Sequence, residues 1–141
     1  MTESARAKNA GEAVVKGGVV TYLNVDGAMK AVEFYKKAFG ATLEFAMPTD
    51  DKGRTMHAHV HVNGSSLMLS DFYPEHGHAA VKPQGFTLAL MVPDVDAAWK
   101  RAIDAGREAR MPPEDMFWGD RHAQMNDPFG VSWALNGPKR G

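Results

Sequence analysis

The chain has 141 residues and is 44% hydrophobic, enough for one proper core or two small modules sharing one, and too short for two large domains. Its formal charge of -1 comes from interspersed acids and bases, with no Lys/Arg run beyond isolated pairs, which argues against a nucleic-acid partner. With no Cys there is no disulfide framework, thiol nucleophile or cysteine metal site, and no long apolar run marks a signal peptide or membrane span, so a cytoplasmic setting without a membrane partner is expected.

Met1–Gly18 is small, polar and charged apart from Ala13–Val15 and is expected to be a flexible tail. Val19–Val25 alternates as a strand, with Val19, Thr21, Leu23 and Val25 on one face and Val20, Tyr22 and Asn24 on the other. Asp26 is a suitable N-cap for a helix over Ala28–Phe39, whose Ala28, Val32, Tyr35 and Phe39 share one side. Gly40 stands where a left-handed C-terminal residue is wanted. Ala41–Ala46 resumes strand character, and Met47–Arg54 is a loop. Met56–Val62 puts Ala58, Val60 and Val62 on one face and His57, His59 and His61 on the other; Asn63-Gly64 is a hairpin turn, and Leu67–Phe72 is the partner strand.

Tyr73–Gln84 is irregular and reads as a linker or lid, after which the same order of elements begins again. Phe86–Val92 is a strand, Asp94 a cap, and Val95, Ala98, Trp99, Ala102 and Ile103 an apolar helix stripe ending at Gly106. Arg107–Met111 is a short strand and Pro112–Phe117 a loop. Gly119–Asn126 and Val131–Leu135 are strands joined at Asp127-Pro128-Phe129-Gly130, where Asp bonds back to nearby amides, Pro presets φ and Gly accepts a positive φ. Trp133 is expected in the core, whereas Asp120, His122, Gln124, Asn126 and Ser132 form a face too polar for one.

Val25–Gly40 corresponds to Val92–Gly106, and Asn63-Gly64 to the Asp127–Gly130 turn, so the chain is an internal duplication. The organisation predicted is a tail (1–18), a first βαβββ module (19–72), a linker (73–84), a second βαβββ module (85–136) and a C-terminal tail (137–141). One helix per module covers only one face of each sheet, so the α+β fold expected is a curved mixed sheet around a ligand cup. Uncovered edges favour a homodimer.

The paired modules, the helix AMKAVEFYKKAFG over Ala28–Gly40 and the closing EDMFWGDR with DPFG resemble the vicinal oxygen chelate superfamily of glyoxalases, bleomycin-resistance proteins and dioxygenases, and within it the PhnB-like branch. The resemblance covers Val19–Asn136. It implies the cup-forming fold and a homodimer. Its enzymes hold a divalent metal with His and Glu from the first and a late strand of each module, positions that fall here at about Val20, Met68, Thr87 and Ala134. None of these is a His or Glu, so the resemblance implies neither the usual metal site nor glyoxalase I activity. His57 matches a His of the PhnB-like pattern, whereas His59 stands where an acidic residue is common. No glycine-rich strand-to-helix turn supports a methyltransferase reading.

The ligand-binding residues expected are Tyr22, Asn24, His57, His59, Asp71, Trp118, Arg121, His122 and Gln124. Trp118 offers a surface for stacking and Arg121 a fork for a carboxylate or phosphate, unless Trp118 packs between modules and Arg121 pairs with Asp115 or Asp71. Asp71, Phe72, Tyr73 and Glu75 are placed to gate the cup. The function expected is metal-independent binding of a small molecule, with no cofactor. The alternative is a metal-dependent lyase, isomerase or dioxygenase whose relocated site uses His57 and His59, a third donor from His122, Asp71 or Glu75, and His122 or Glu75 to move the proton.

Overall fold

A computed structural model describes residues 13–77 and 79–140. The chain divides into two compact units, Met1–Lys36 with Gly40–Val81 and Lys37–Phe39 with Lys82–Gly141. The first contains β1 (Thr21–Val25), most of α1 (Ala28–Phe39), β2 (Thr42–Ala46), β3 (Ala58–Val62) and β4 (Ser65–Asp71). The second contains β5 (Leu88–Met91), α2 (Val95–Ala105), β6 (Glu108–Asp115), β7 (Arg121–Asn126) and β8 (Ser132–Gly137). The sheet orders are β1-β4-β3-β2 and β5-β8-β7-β6. In each the first and last strands pair in parallel and the remaining pairs are antiparallel. The duplication inferred from the order of elements is therefore a repeat of topology as well.

Alternation sorts each sheet into a packed and a polar face. In the first unit Leu23, Val25, Val60, Leu67 and Leu69 are buried, as are Ala28, Ala31, Val32 and Tyr35 on α1. Gly40 ends α1 in the left-handed conformation, as expected. Its start differs from the expectation. The N-cap is Gly27, left-handed at φ 98°, and Asp26 does not cap the helix. Instead Oδ1 of Asp71, at the end of β4, accepts from the amides of Gly27 and Ala28 (2.8 and 3.0 Å), and its Oδ2 accepts from Thr55 N at 2.8 Å. The orphan donors of this helix are thus satisfied from a strand distant in sequence. α2 keeps its own cap: the Asp94 carboxylate accepts from Ala97 N.

The Asn63-Gly64 turn has both residues at positive φ, 48° and 87°, the backbone that a two-residue hairpin requires. At the second turn Asp127 Oδ1 accepts from Phe129 N and Val131 N, and Oδ2 accepts from Trp133 Nε1 at 2.9 Å, which fixes the indole in the core. Ile103, expected in the core, is exposed on α2. β6 continues through the expected loop to Asp115 with two register shifts. Pro112 and Pro113 fit there because β6 is an edge strand and both fall within the second irregularity, where no ladder N–H is demanded. Of the expected tail, 1–12 lies outside the described residues. Val14–Lys16 is tied to the first sheet: Ser66 N donates to Lys16 O, Lys16 N donates to Ser66 Oγ, and His61 Nε2 donates to Val14 O.

Candidate functional site

The polar face of the first sheet carries Tyr22 and Asn24 on β1, Met68 and Ser70 opposite them on β4, and the histidines of β3. The Tyr22 hydroxyl donates to Met56 O at 3.2 Å and shares a 3.0 Å hydrogen bond with His57 Nδ1. The His57 ring lies 5.6 Å from that of Tyr22 and 5.9 Å from that of Phe45. Burial among these rings pulls its pKa below 6.5. His59 is more enclosed, at 2% exposure. Its Nε2 is 2.7 Å from Ser66 Oγ and its ring is edge-on to His61, and burial followed by the neighbouring imidazoles lowers its pKa as well.

This arrangement does not fit a relocated metal. Asp71 is turned to the helix start and Thr55, and Glu75 forms a two-armed ion pair with Arg54 (3.1 and 2.6 Å) that holds its pKa at about 2. Asp71 and Glu75, the two third donors expected from this unit, are thus engaged elsewhere, and among the described residues no three His, Cys, Asp or Glu side chains come together as a ligand set. Nor do Met68, Thr87 or Ala134 supply a donor suited to a divalent ion. Asp71 is also withdrawn as a ligand contact, since it is buried beneath the opposite face.

In the second unit the polar face is built on β7 and β8. His122 stands opposite Asn136, Gln124 opposite Ala134 and Asn126 opposite Ser132. His122 Nδ1 donates to Asn136 Oδ1 at 2.7 Å, and Nε2 accepts from Gln124 Nε2 at 3.0 Å. Those partners place the hydrogen on Nδ1 and use Nε2 as an acceptor, because an amide oxygen only accepts and an amide nitrogen only donates. The Trp118 indole is edge-on to His122, centroids 5.4 Å apart at 76°, and is 51% exposed. Arg121 points away from this face: its guanidinium holds Asp96 on α2 through 2.6 and 3.0 Å contacts and Asp115 at 3.2 Å. The fork expected for a ligand is spent on fastening the helix to the sheet, with Asp115 as one of the anticipated partners and Asp96 in place of Asp71.

At the Asn126 end of this face lies a cleft of about 360 Å³ lined by Pro83, Gln84, Thr87, Arg110, Asn126 and Ser132 among others. The Thr87 and Ser132 hydroxyls are 3.0 Å apart. Arg110 was missed because Arg107–Met111 reads from the sequence only as a short strand, with no faces assigned to it; it falls at the first register shift of β6, between the Ala109/Met125 and Met111/Gln124 pairs. Alternation from Glu108, which stands opposite Asn126, was the available signal.

Two four-stranded mixed sheets, each with one helix and a repeated strand order, define an α+β protein of duplicated βαβββ modules. The chain belongs to the Glyoxalase/Bleomycin resistance protein/Dioxygenase superfamily, whose family model matches residues 18–135. It is 38% identical to the protein Rv0887c of Mycobacterium tuberculosis over 132 residues, covering 89% of this chain and 77% of that one. Among solved structures it is similar to the protein PA1353 from Pseudomonas aeruginosa, with a TM-score of 0.70 at 30% identity over 85% of this chain and 96% of the other. The fold is also that of the PhnB protein from Bacillus cereus, with a TM-score of 0.66 at 22% identity over 85% and 98% of the two chains. No helix among the described residues is long and apolar enough to cross a membrane.

Proposed function

We propose that the protein binds a small organic molecule on the polar sheet face of its second unit without a resident metal, Trp118 supplying a stacking surface and the Gln124 carboxamide, positioned by its contact with His122, the hydrogen-bonding groups beside it. The observation that carries this reading is the half-exposed indole set edge-on against a histidine whose two ring nitrogens are both engaged. A wall whose groups are already oriented binds with little ordering cost, and a flat aromatic surface suits aromatic or cationic guests. Bond-making chemistry is not part of the reading, since neither the familial positions nor His57 and His59 assemble a metal-ligand set. The sequence EDMFWGDR with DPFG supports membership of the PhnB-like branch, and the 94% exposed Phe117 beside Trp118 supports a homodimer.

The test is a thermal-shift and tryptophan-fluorescence screen against aromatic compounds of neutral, cationic and anionic character. Of the three tryptophans, Trp133 is enclosed and Trp118 is the most accessible, so fluorescence quenching by a bound guest reports chiefly on Trp118. A guest at about 100 times its Kd should stabilise the fold by about 2.7 kcal/mol, and Trp118→Ala should abolish that shift while leaving the unliganded melting temperature nearly unchanged. A screen with no shift in the native protein, or shifts untouched by Trp118→Ala, overturns the reading.

A further inference from the structure

The 360 Å³ cleft at the Asn126 end of the second sheet carries a more specific conclusion, which rests on the ligand lying on that face. We infer that it is an anion-recognition subsite, holding the carboxylate or phosphate of a small organic anion between the guanidinium of Arg110 and the amide of Asn126, with the ammonium of Lys82 at its rim. The lining contains neither Asp nor Glu. Of the neighbouring carboxylates, Asp127 is buried and turned onto Phe129, Val131 and Trp133, and Glu108, the cross-strand partner of Asn126, is exposed and lies outside the lining. Arg110 and Lys82 have no ion pair or hydrogen bond among the described residues, unlike Arg54 and Arg121, whose forks are filled by Glu75, Asp96 and Asp115. The Lys82 stem lies across Gly130: a Cβ added there would meet Lys82 Cε at 3.1 Å and Cγ at 3.4 Å.

The chemistry of these groups converges on one kind of guest. A planar guanidinium presents paired N–H donors that match two oxygens of a carboxylate or phosphate, and the carboxamide of Asn126 adds neutral donors alongside. The Thr87 and Ser132 hydroxyls, 3.0 Å apart, can donate only one proton to each other, which leaves the other for an incoming oxygen. Phe86 and Pro83 give the same cleft an apolar side, so the guest should carry a hydrocarbon or aromatic body behind its charged end. Arg110 stands two residues beyond Glu108, the cross-strand partner of Asn126, and lines the same cleft.

Benzoate, phenyl phosphate and neutral benzyl alcohol are titrated by calorimetry and amide chemical shift into the native protein, Arg110→Gln and Lys82→Gln, at low and at physiological salt. Benzoate, phenyl phosphate or both should bind with shifts at Asn126, Thr87 and Ser132. Arg110→Gln should weaken that binding about tenfold or more, Lys82→Gln less so, salt should weaken it further, and benzyl alcohol should not bind comparably. Which anion binds identifies the charged group. Benzyl alcohol binding as well as the anions, or Arg110→Gln binding them like the native protein, overturns the inference. Arg110 is exposed, so its loss should leave the fold intact, and Arg110→Lys, keeping the charge without the fork, should fall between the two. If the anions fail while a neutral or cationic aromatic binds in a Trp118-dependent way, the anion subsite falls and the broader reading stands. If no aromatic of any charge binds, both fall.

Discussion

Asp71 was expected to face a ligand, and its contacts instead make it the fastening of the first unit. Its carboxylate is 4% exposed and receives three backbone N–H groups: Gly27 and Ala28 on Oδ1, Thr55 on Oδ2. Hydrogen bonds to a charged acceptor contribute about 1.5 kcal/mol each after the exchange with water, and an abandoned buried donor costs a similar amount. Asp71→Ala should therefore destabilise the protein by about 4 kcal/mol, a large share of the ~5–15 kcal/mol typical of a domain. Asp71→Asn separates the contributions. Its amide oxygen can still serve Gly27 and Ala28, but its NH2 then meets Thr55 N–H, donor against donor, at a cost of about 2 kcal/mol. In urea, with a slope of ~1–3 kcal/mol per molar, that shift is about 1 M in the unfolding midpoint, read by circular dichroism. An Asp71→Asn protein with an unchanged midpoint and a lost ligand response would refute the assignment and return Asp71 to the binding site.

Two further outcomes follow from the geometry. Burial lowers the folded-state pKa of both His57 and His59 below 6.5, so the unfolded chain binds their protons more readily than the folded one. Stability from their neutral forms is full above the unfolded value and is lost as pH falls below it, through the folded values. Thermal unfolding followed from about pH 7 to 5 should show a falling melting temperature, and His59→Gln should flatten the slope; an unchanged slope in the variant contradicts the sign. Gly137 admits no side chain: an added Cβ would collide with the Val92 carbonyl oxygen and lie 3.1 Å from Val95 Cγ2. Gly137→Ala should cost about 1–3 kcal/mol by differential scanning calorimetry, and a variant as stable as the native protein would show that β8 does not pack against β5 this closely.

Periodicity was informative wherever a segment obeys a single rule. The bounds of α1, its Gly40 terminus, the Asn63-Gly64 and Asp127–Gly130 turns and the cap of α2 at Asp94 follow from local residue chemistry and are found as expected. Errors arose where a residue is claimed by something far along the chain. Asp26 is a sound cap by composition, yet Asp71 reaches the helix first. For Arg121 the pairing with Asp115 was weighed from the sequence and is found, whereas Asp96 on α2 is a partner that only the packing of the helix on the sheet reveals. Arg110 escaped because a short edge strand with two irregularities shows too little period for its faces to be assigned, although Arg110 sits two residues from the partner of Asn126. The polar wall itself was legible, since His122, Gln124 and Asn126 keep strict alternation along β7.

The two helices, nearly equal in length, owe their beginnings to different parts of the chain. α2 carries its own start signal at Asp94 and can close its first turn as soon as the local segment forms. α1 must wait for β4 to zip alongside β1 in parallel before the carboxylate of Asp71 arrives, 43 residues away from Ala28. β8 must likewise reach β5 in parallel, Leu88 opposite Trp133, so each half closes a loop of similar length. The halves differ in what that closure completes: in the amino-terminal one it also supplies the start of a helix, whereas in the other the helix start is already made.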